Sequence, residues 1–479
     1  MGLEWFGDLP AETIADLYYA RWEDLQLELN PEQMIRFVDL WRNTMKLRKI
    51  KLRDFGFGKV SAKIFSNILE KFEDISQLDL RKNILGNNGI KELWKGIVAN
   101  KSITHIDIGS NDITSEGANY FFNKIHDHVS LTSINLANVD GLHRNRLGYN
   151  GCKGLNKLLK TNKIISMINV ADNSIGNQGI KLMLKDIDPA TSNIVYLNLS
   201  NNDLSQGCID ELSSLLKSSN LYEIRLAENK LNDKSAYDLW YFFYRGFCHL
   251  AKIDLSSNGL TSSGASMLFQ ALKLNPYLTH LNLENNQLNK NDKFYKVSEL
   301  LKSNKILKSL NLSNCKLSRS DAESISEGLA YNKALLNLNL SKNNIGTAGC
   351  IWIFEALRYE KTKLNTIDLS SNNIRNEGVK ALIATLEVNF ALEKINLYNN
   401  IINDEIGNDL VIAVKNNKVV QHVNLGLNTV NKLHNARIKE YCKVNSQLVE
   451  KNELPFIKHE IINLLQNEHG NKVTEKQIK

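Results

Sequence analysis

Few residues in this sequence have the types and spacing that could do covalent or metal chemistry. His126 and His128 flank Asp127, but no matching Cys or His pair stands near them to complete a ligand set, so no metal site is expected. The six cysteines, at 152, 208, 248, 315, 350 and 442, include no Cys-x-x-Cys pair and read as reduced core thiols. There is no Walker A loop, no Gly-x-Ser-x-Gly elbow and no His-Glu-x-x-His helix. No catalytic residue, cofactor or enzymatic activity is expected. What remains is recognition chemistry, in cations, carboxylates and aromatics that could contact a partner. These are Lys51, His143, Arg144, Arg146, Tyr149, Tyr196, Glu223, Arg225 and Glu228.

Those residues are positioned by a repeat. The pattern L-x-x-L-x-L-x-x-N-x-L recurs every 28–29 residues, clearly at Leu250-Ile253-Leu255-Asn258-Leu260 and again at Leu278-Leu281-Leu283-Asn286-Leu288. Its Asn falls at 83, 111, 173, 202, 229, 258, 286, 343, 372, 400 and 428, and Cys315 takes that place in one copy. The first copy, Leu47-Ile50-Leu52, has Phe55 and Phe57 where Asn and Leu belong, and the copy starting at Leu131 departs after Leu136. About fourteen turns result, from Leu47 to Val430. The fourth and sixth places alternate inward along a short strand. The Asn is suited to bond backbone groups where the chain turns. A helix follows, as in Ile90-Lys91-Glu92-Leu93-Trp94.

This frame resembles the ribonuclease-inhibitor-like leucine-rich-repeat class. The resemblance implies an α/β solenoid shaped as a horseshoe, with parallel strands on the concave face and helices on the convex face. It implies protein binding and carries no catalytic residue over. The expected boundaries are a helical N-terminal cap at 1–46, repeats at 47–432, a helical C-terminal cap at 433–466 and a polar tail at 467–479.

Within the repeat, the third, fifth, seventh and eighth places are free to vary. The fifth place is mostly Asn or Asp, read as a polar ladder serving the fold, and the exceptions are Lys51 and Arg225. Tyr196, Tyr222, Glu223 and Glu228 surround Arg225 in the composition of a binding hot spot. Lys49, Lys51, Arg53, Arg81 and Lys82 form a basic corner, expected either to pair with the acidic N-terminal segment or to meet an acidic partner. From Asn111 to Asn173 is 62 residues where two turns predict 56, so about six extra residues lie around 139–144 before Asn145-Arg146-Leu147 resumes the pattern. Such insertions emerge on one rim, and this one is read as a specificity loop. The aromatic stretch from Trp240 to Phe247 is expected to pack in the core and between repeats.

Charge and ends complete the reading. Net charge is +7, with four basic and nine acidic side chains in residues 1–46. That excess suits acidic partners and falls short of a nucleic-acid signature. No membrane span or secretory leader is read, and Phe6 stands where a myristoylation motif wants Ser or Thr. A cytoplasmic monomer binding a protein partner is expected. The abundance of Asn, Lys and Ile, with a polar tail, is similar to effectors that intracellular bacteria translocate into host cells to act on a host protein. Two alternatives stay open. Leu9-Pro10-Ala11-Glu12-Thr13-Ile14 with Phe37-Val38-Asp39-Leu40-Trp41 is similar to the ends of an F-box in a ubiquitin-ligase adaptor, though Arg21-Trp22-Glu23-Asp24 fits poorly. A RanGAP-like GTPase activator would use an arginine such as Arg53, Arg81 or Arg225.

Overall fold

The computed structural model describes residues 11–28, 30, 33–37, 48–138, 142–289, 294–358 and 362–450. The expected F-box-like ends, much of the expected second N-terminal helix, residues 139–141 of the insertion, and the expected helix 455–465 with its tail lie outside them. The chain divides into two units, Met1–Gln287 and Leu288–Lys479.

In the first unit, nine three-residue strands run from Lys49–Lys51 to His280–Asn282, all parallel and in one register: Ile50, Leu78, Ile106, Ile134, Ile168, Leu197, Ile224, Ile253 and Leu281 are successive partners. In the second, Leu310, Leu338, Ile367, Ile395 and Val423 align five strands from Ser309–Asn311 to His422–Asn424. Each of these side chains is buried. A helix follows each strand, for example Gly86–Ala99, Ser262–Leu272 and Asn376–Leu386. This is the leucine-rich-repeat solenoid the period predicts.

Three polar devices recur along the turns. The fifth-place Asn or Asp accepts from the backbone N–H two residues on, as Asn135 does from Ala137 (2.9 Å) and Asp368 from Ser370 (2.9 Å). The ninth-place Asn is buried and bonds in both directions. Asn202 Nδ2 donates to Val170 O (2.9 Å) and Ser200 O (3.1 Å), and its Oδ1 accepts from Asn173 N (2.9 Å) and Ile175 N (3.3 Å). Asn145 fills this place in the turn with the insertion, donating to Ile108 O and Leu136 O (both 3.0 Å). Cys315 has no amide, and Leu288 N donates instead to the Cys315 carbonyl (3.1 Å). The residue before the Asn is left-handed even where its type has no such preference, as at Glu228 (φ 54°) and Leu427 (φ 53°).

The third device, unrecognised in the sequence, closes the return from helix to strand. Asn100 Nδ2 donates to Phe72 O (2.9 Å), while its Oδ1 accepts from Ser102 N and Ile103 N (both 2.9 Å). Asn162, Asn332, Asn389 and Asn417 repeat this. His128 takes the place once. Its Nε2 lies 2.9 Å from Ile97 O, and its Nδ1 accepts from Leu131 N (3.1 Å). Both ring nitrogens are thus engaged in the fold. Burial holds the His128 imidazole below its ordinary 6.5. The unfolded chain therefore binds the proton first as pH falls, so stability should drop progressively below about pH 6.5. His128→Asn should flatten that fall; an unchanged pH dependence of urea midpoints between pH 7 and 5 would refute the assignment.

At the N-terminal side, helix Ala11–Leu25 buries Leu17 and Tyr18 completely. The Asp24 carboxylate accepts from Gly58 N (2.7 Å), Val60 N (2.9 Å) and Ser61 N (2.9 Å), the donors opening helix Lys59–Lys71. At the other side, Asn445 of helix Lys432–Glu450 continues the third device, donating to Asn417 O (2.9 Å) and Val420 O (2.7 Å).

Candidate interaction surface on the strand face

Side chains at the third and fifth places point away from the core, on the face opposite the buried row. In the first unit the third places of consecutive strands read Met167, Tyr196, Glu223, Lys252 and His280. Glu223 sits between two cations. Its Oε1 accepts from Arg225 Nε (2.7 Å) and its Oε2 lies 3.8 Å from Lys252 Nζ. The Arg225 guanidinium stands 5.5 Å over the Tyr196 ring, and Lys252 Nζ 5.5 Å over Tyr222. Burial raises the Tyr196 phenol, so it remains a donor at neutral pH.

Arg225 has a cost that explains why it stands out. As a cation it offers no acceptor to the N–H two residues on, the bond that Asn and Asp make in neighbouring turns, at Asn198 to Ser200 (3.0 Å) and Asp254 to Ser256 (3.0 Å). Toward the start of the same and the two preceding strands, Ile164, Met167, Val195 and Tyr222 are exposed. Val195 and Tyr222 are adjacent through the Tyr222 N–H to Val195 O bond (2.9 Å). The sequence reading found Tyr196, Tyr222, Glu223 and Arg225 but missed Ile164, Met167, Val195 and Lys252. Each sits in an ordinary variable place, and only the strand register makes them neighbours. Glu228 lies past the strand in the left-handed position and is exposed.

The other candidates stand apart. Two strands separate the one before the insertion from Glu223–Arg225, about 14 Å at 4.8 Å per gap, and Lys51 is six gaps away, about 29 Å. The described half of the insertion is folded onto the rim rather than free. His143 Nδ1 meets Asp112 Oδ2 (2.7 Å), Arg144 pairs with Asp172, and Asn145 N donates to Asn138 Oδ1 (2.7 Å). Arg146 and Tyr149 are exposed beyond it. Lys51 is exposed beside Asp79, its register partner. Of the basic corner, among the described residues Arg53 pairs with Asp79 (2.5 Å) and Arg81 with Asp107, each from the next turn. The aromatic stretch is corrected in part, since Phe242 and Phe243 are buried but Tyr241, Tyr244 and Phe247 are exposed.

Among the described residues no three of His, Cys, Asp or Glu converge as a metal site, and no helix is long and apolar enough to cross a membrane.

Two leucine-rich-repeat family models match the chain, one at residues 99–122, 248–269, 331–353 and 360–382 and the other at 193–215 and 307–327. Similar proteins include the NACHT, LRR and PYD domains-containing protein 5 of Bos taurus, 25% identical over 307 residues, covering 64% of this chain and 26% of the relative. The NACHT, LRR and PYD domains-containing protein 3 of Mus musculus is 26% identical over 236 residues, covering 49% and 22%. The chain thus spans about a quarter of the length of these curated relatives. Among solved structures, one of a Rad7 and Elc1 complex in yeast aligns at 14% identity with a TM-score of 0.46, covering 82% of this chain and 89% of that one. The matched repeats, these relatives and the stacked parallel turns make the chain a leucine-rich-repeat protein.

Proposed function

We propose that this chain is a non-enzymatic scaffold that holds a partner protein against the strand face of its first unit. The observation that carries this reading is Arg225, which forgoes a fold-serving hydrogen bond and stands on Tyr196 beside exposed Met167, Val195 and Tyr222. Aromatics with an arginine on a rigid, preformed sheet are what binding hot spots use. Glu223 already balances Arg225, so the partner supplies a carboxylate that takes over that bond, with apolar groups laid on the neighbouring rings. Arg146 and Tyr149 provide a second contact on the rim. Arg53 and Arg81 are held by carboxylates of the next turn, which favours a scaffold over a GTPase activator. The face of helix Ala11–Leu25 that carries Leu17, Tyr18 and Asp24 is committed to the first repeat, which favours it over an F-box adaptor.

The Asn- and Lys-rich composition supports a scaffold that works in the cytoplasm, delivered there as a bacterial effector. A reporter joined to the last 30 residues or so and assayed for injection into host cells tests delivery; no transfer by any secretion-competent strain would remove it. For the binding site, the full chain is used to capture proteins from eukaryotic lysate. Arg225→Ala with Tyr222→Ala should reduce retention of its specific partner by at least about 100-fold, roughly two hot-spot contributions. Equal retention of every captured protein, with unchanged thermal stability, would overturn the proposal.

A further inference from the structure

The second unit carries a groove on its helix side, independent of the strand face. It lies between helices Asn376–Leu386 and Gly407–Asn416 and has a volume of about 270 Å³. Leu386 and Phe390 line it from one turn and Ile412 from the next. The space is several times the roughly 30 Å³ share of one water molecule, so it is sized for side chains. Its walls present ring and aliphatic carbon to solvent, since Phe390 is 40% exposed and Ile412 48%. The two charged side chains in its lining, Glu387 and Asp409, are both acidic.

The described residues end beside this groove. Asn417 stands at one end of it, with its Nδ2 donating to Leu386 O (2.9 Å) and Asn389 O (3.0 Å). The Asn417 carbonyl in turn accepts from Asn445 of helix Lys432–Glu450 (2.9 Å), which packs on Gly407–Asn416. Five residues of that helix remain after Asn445, about 7.5 Å of rise.

The sequence that follows, outside the described residues, has the complementary pattern. Pro455 suits the first turn of a helix. Ile457, Ile461, Leu464 and Leu465 then fall at i, i+4, i+7 and i+8, the spacing of a helix laid in a groove, with Lys458 at the edge of the stripe. From Ile457 to Leu465 is eight residues, as from Asp409 to Asn417 along the groove wall, about 12 Å of helix in each case.

We infer that residues 455–465 of the same chain dock in this groove, with the apolar stripe against Phe390 and Ile412 and Lys458 toward Glu387 and Asp409. The reach permits it. The chain must pass one helix, at a spacing of about 8–10 Å, and residues 451–454 extend to about 14 Å. So short a tether holds the segment at an effective concentration in the millimolar range, which favours it over a second copy or any other apolar helix at lower concentration. Docking takes an apolar strip out of water that no neighbouring helix covers.

Alkylation of a cysteine placed in the groove tests this, since the six native thiols are buried. In the full chain, Ile412→Cys should react at least about tenfold more slowly than in the same chain carrying Ile461→Asp and Leu464→Asp. The difference should be the same at about 1 and about 100 µM chain, because the tether sets the local concentration. A synthetic peptide of residues 451–470, added at about 1 mM to the chain with the two aspartates, should restore the slow rate. Circular-dichroism melts confirm folding, and Phe390→Cys on the opposite wall serves as the reporter if Ile412→Cys does not fold. Equal rates with and without the aspartates, or a peptide that restores no protection, would overturn the docking. Protection that grows with chain concentration would overturn it in favour of a second copy.

Discussion

Asn202→Ala is expected to lower the free energy of unfolding by about 4 kcal/mol, the largest effect foreseen for any single polar side chain here. The residue is fully buried, and its amide serves four backbone groups on two successive turns. Alanine leaves the N–H groups of Asn173 and Ile175 without their acceptor in a site closed to water, and each such orphan costs about 1–3 kcal/mol. It also removes the brace on Asn201, held left-handed at φ 51°. Because each turn is stable only against its neighbours, the loss should appear as a lowered urea midpoint of the first unit rather than as local fraying. A shift worth less than about 1 kcal/mol would show that the ladder is decoration on a fold held by its leucines alone.

Asp24→Ala should cost about 3 kcal/mol, the second largest effect. An ordinary cap contributes roughly 0.5–2 kcal/mol, but this carboxylate takes three N–H groups at once, with charge assistance and at the positive end of a helix dipole. It approaches Gly58 so closely that a Cβ there would fall 2.7 Å from Asp24 Oδ1. Amide exchange should speed up through helix Lys59–Lys71 and stay unchanged in helix Asn376–Leu386. Asp24→Asn should retain about half of the stability, since it keeps the acceptor and loses the charge. Loss of protection equally throughout the chain would mean that Asp24 acts on folding as a whole and not as a local cap.

The two residues show what could and could not be read without coordinates. Asn202 was legible because its type repeats at a fixed period, and a buried Asn beside a strand has few roles other than bonding backbone. Asp24 was not, because it belongs to no repeat and its three donors lie more than thirty residues away. The device built on Asn100 and Asn162 was obscured in a different way. Its place is filled by His128 in one turn and its backbone bonds are to the preceding turn, so the sequence shows a mixed column. At the strand face, type and place together exposed Arg225, since a cation in an Asn/Asp column conflicts with the bond that column makes. Met167 and Val195 conflict with nothing. Their exposure follows from which strands they sit on and how far each reaches into solvent, and pattern alone holds neither fact.

The insertion teaches the same lesson from the other side. Its length could be counted from the spacing of the Asn residues, and the partners of its side chains could not. His143 and Arg144 read as free recognition groups, yet the His143 ring bonds to Asp112 and Arg144 pairs with Asp172 within the chain. A cation such as Arg144 beside a rim carboxylate is drawn onto that rim, since a half-exposed pair is worth up to about 1 kcal/mol when held in place by the backbone beside it.

The six cysteines give the molecule a property of practical value. All six are buried as thiols. Burial pushes the thiols of Cys152, Cys208 and Cys248 up to about 12 and that of Cys442 up to about 11. Thiolate, the reactive species, is therefore nearly absent while the turns stay closed. Cys152, Cys208 and Cys248 report on the first unit, and Cys315, Cys350 and Cys442 on the second. Alkylation at each position thus becomes a clock that starts only when its own turn opens, and mass spectrometry of the labelled peptides would time the unravelling of the solenoid turn by turn with no probe added to the chain.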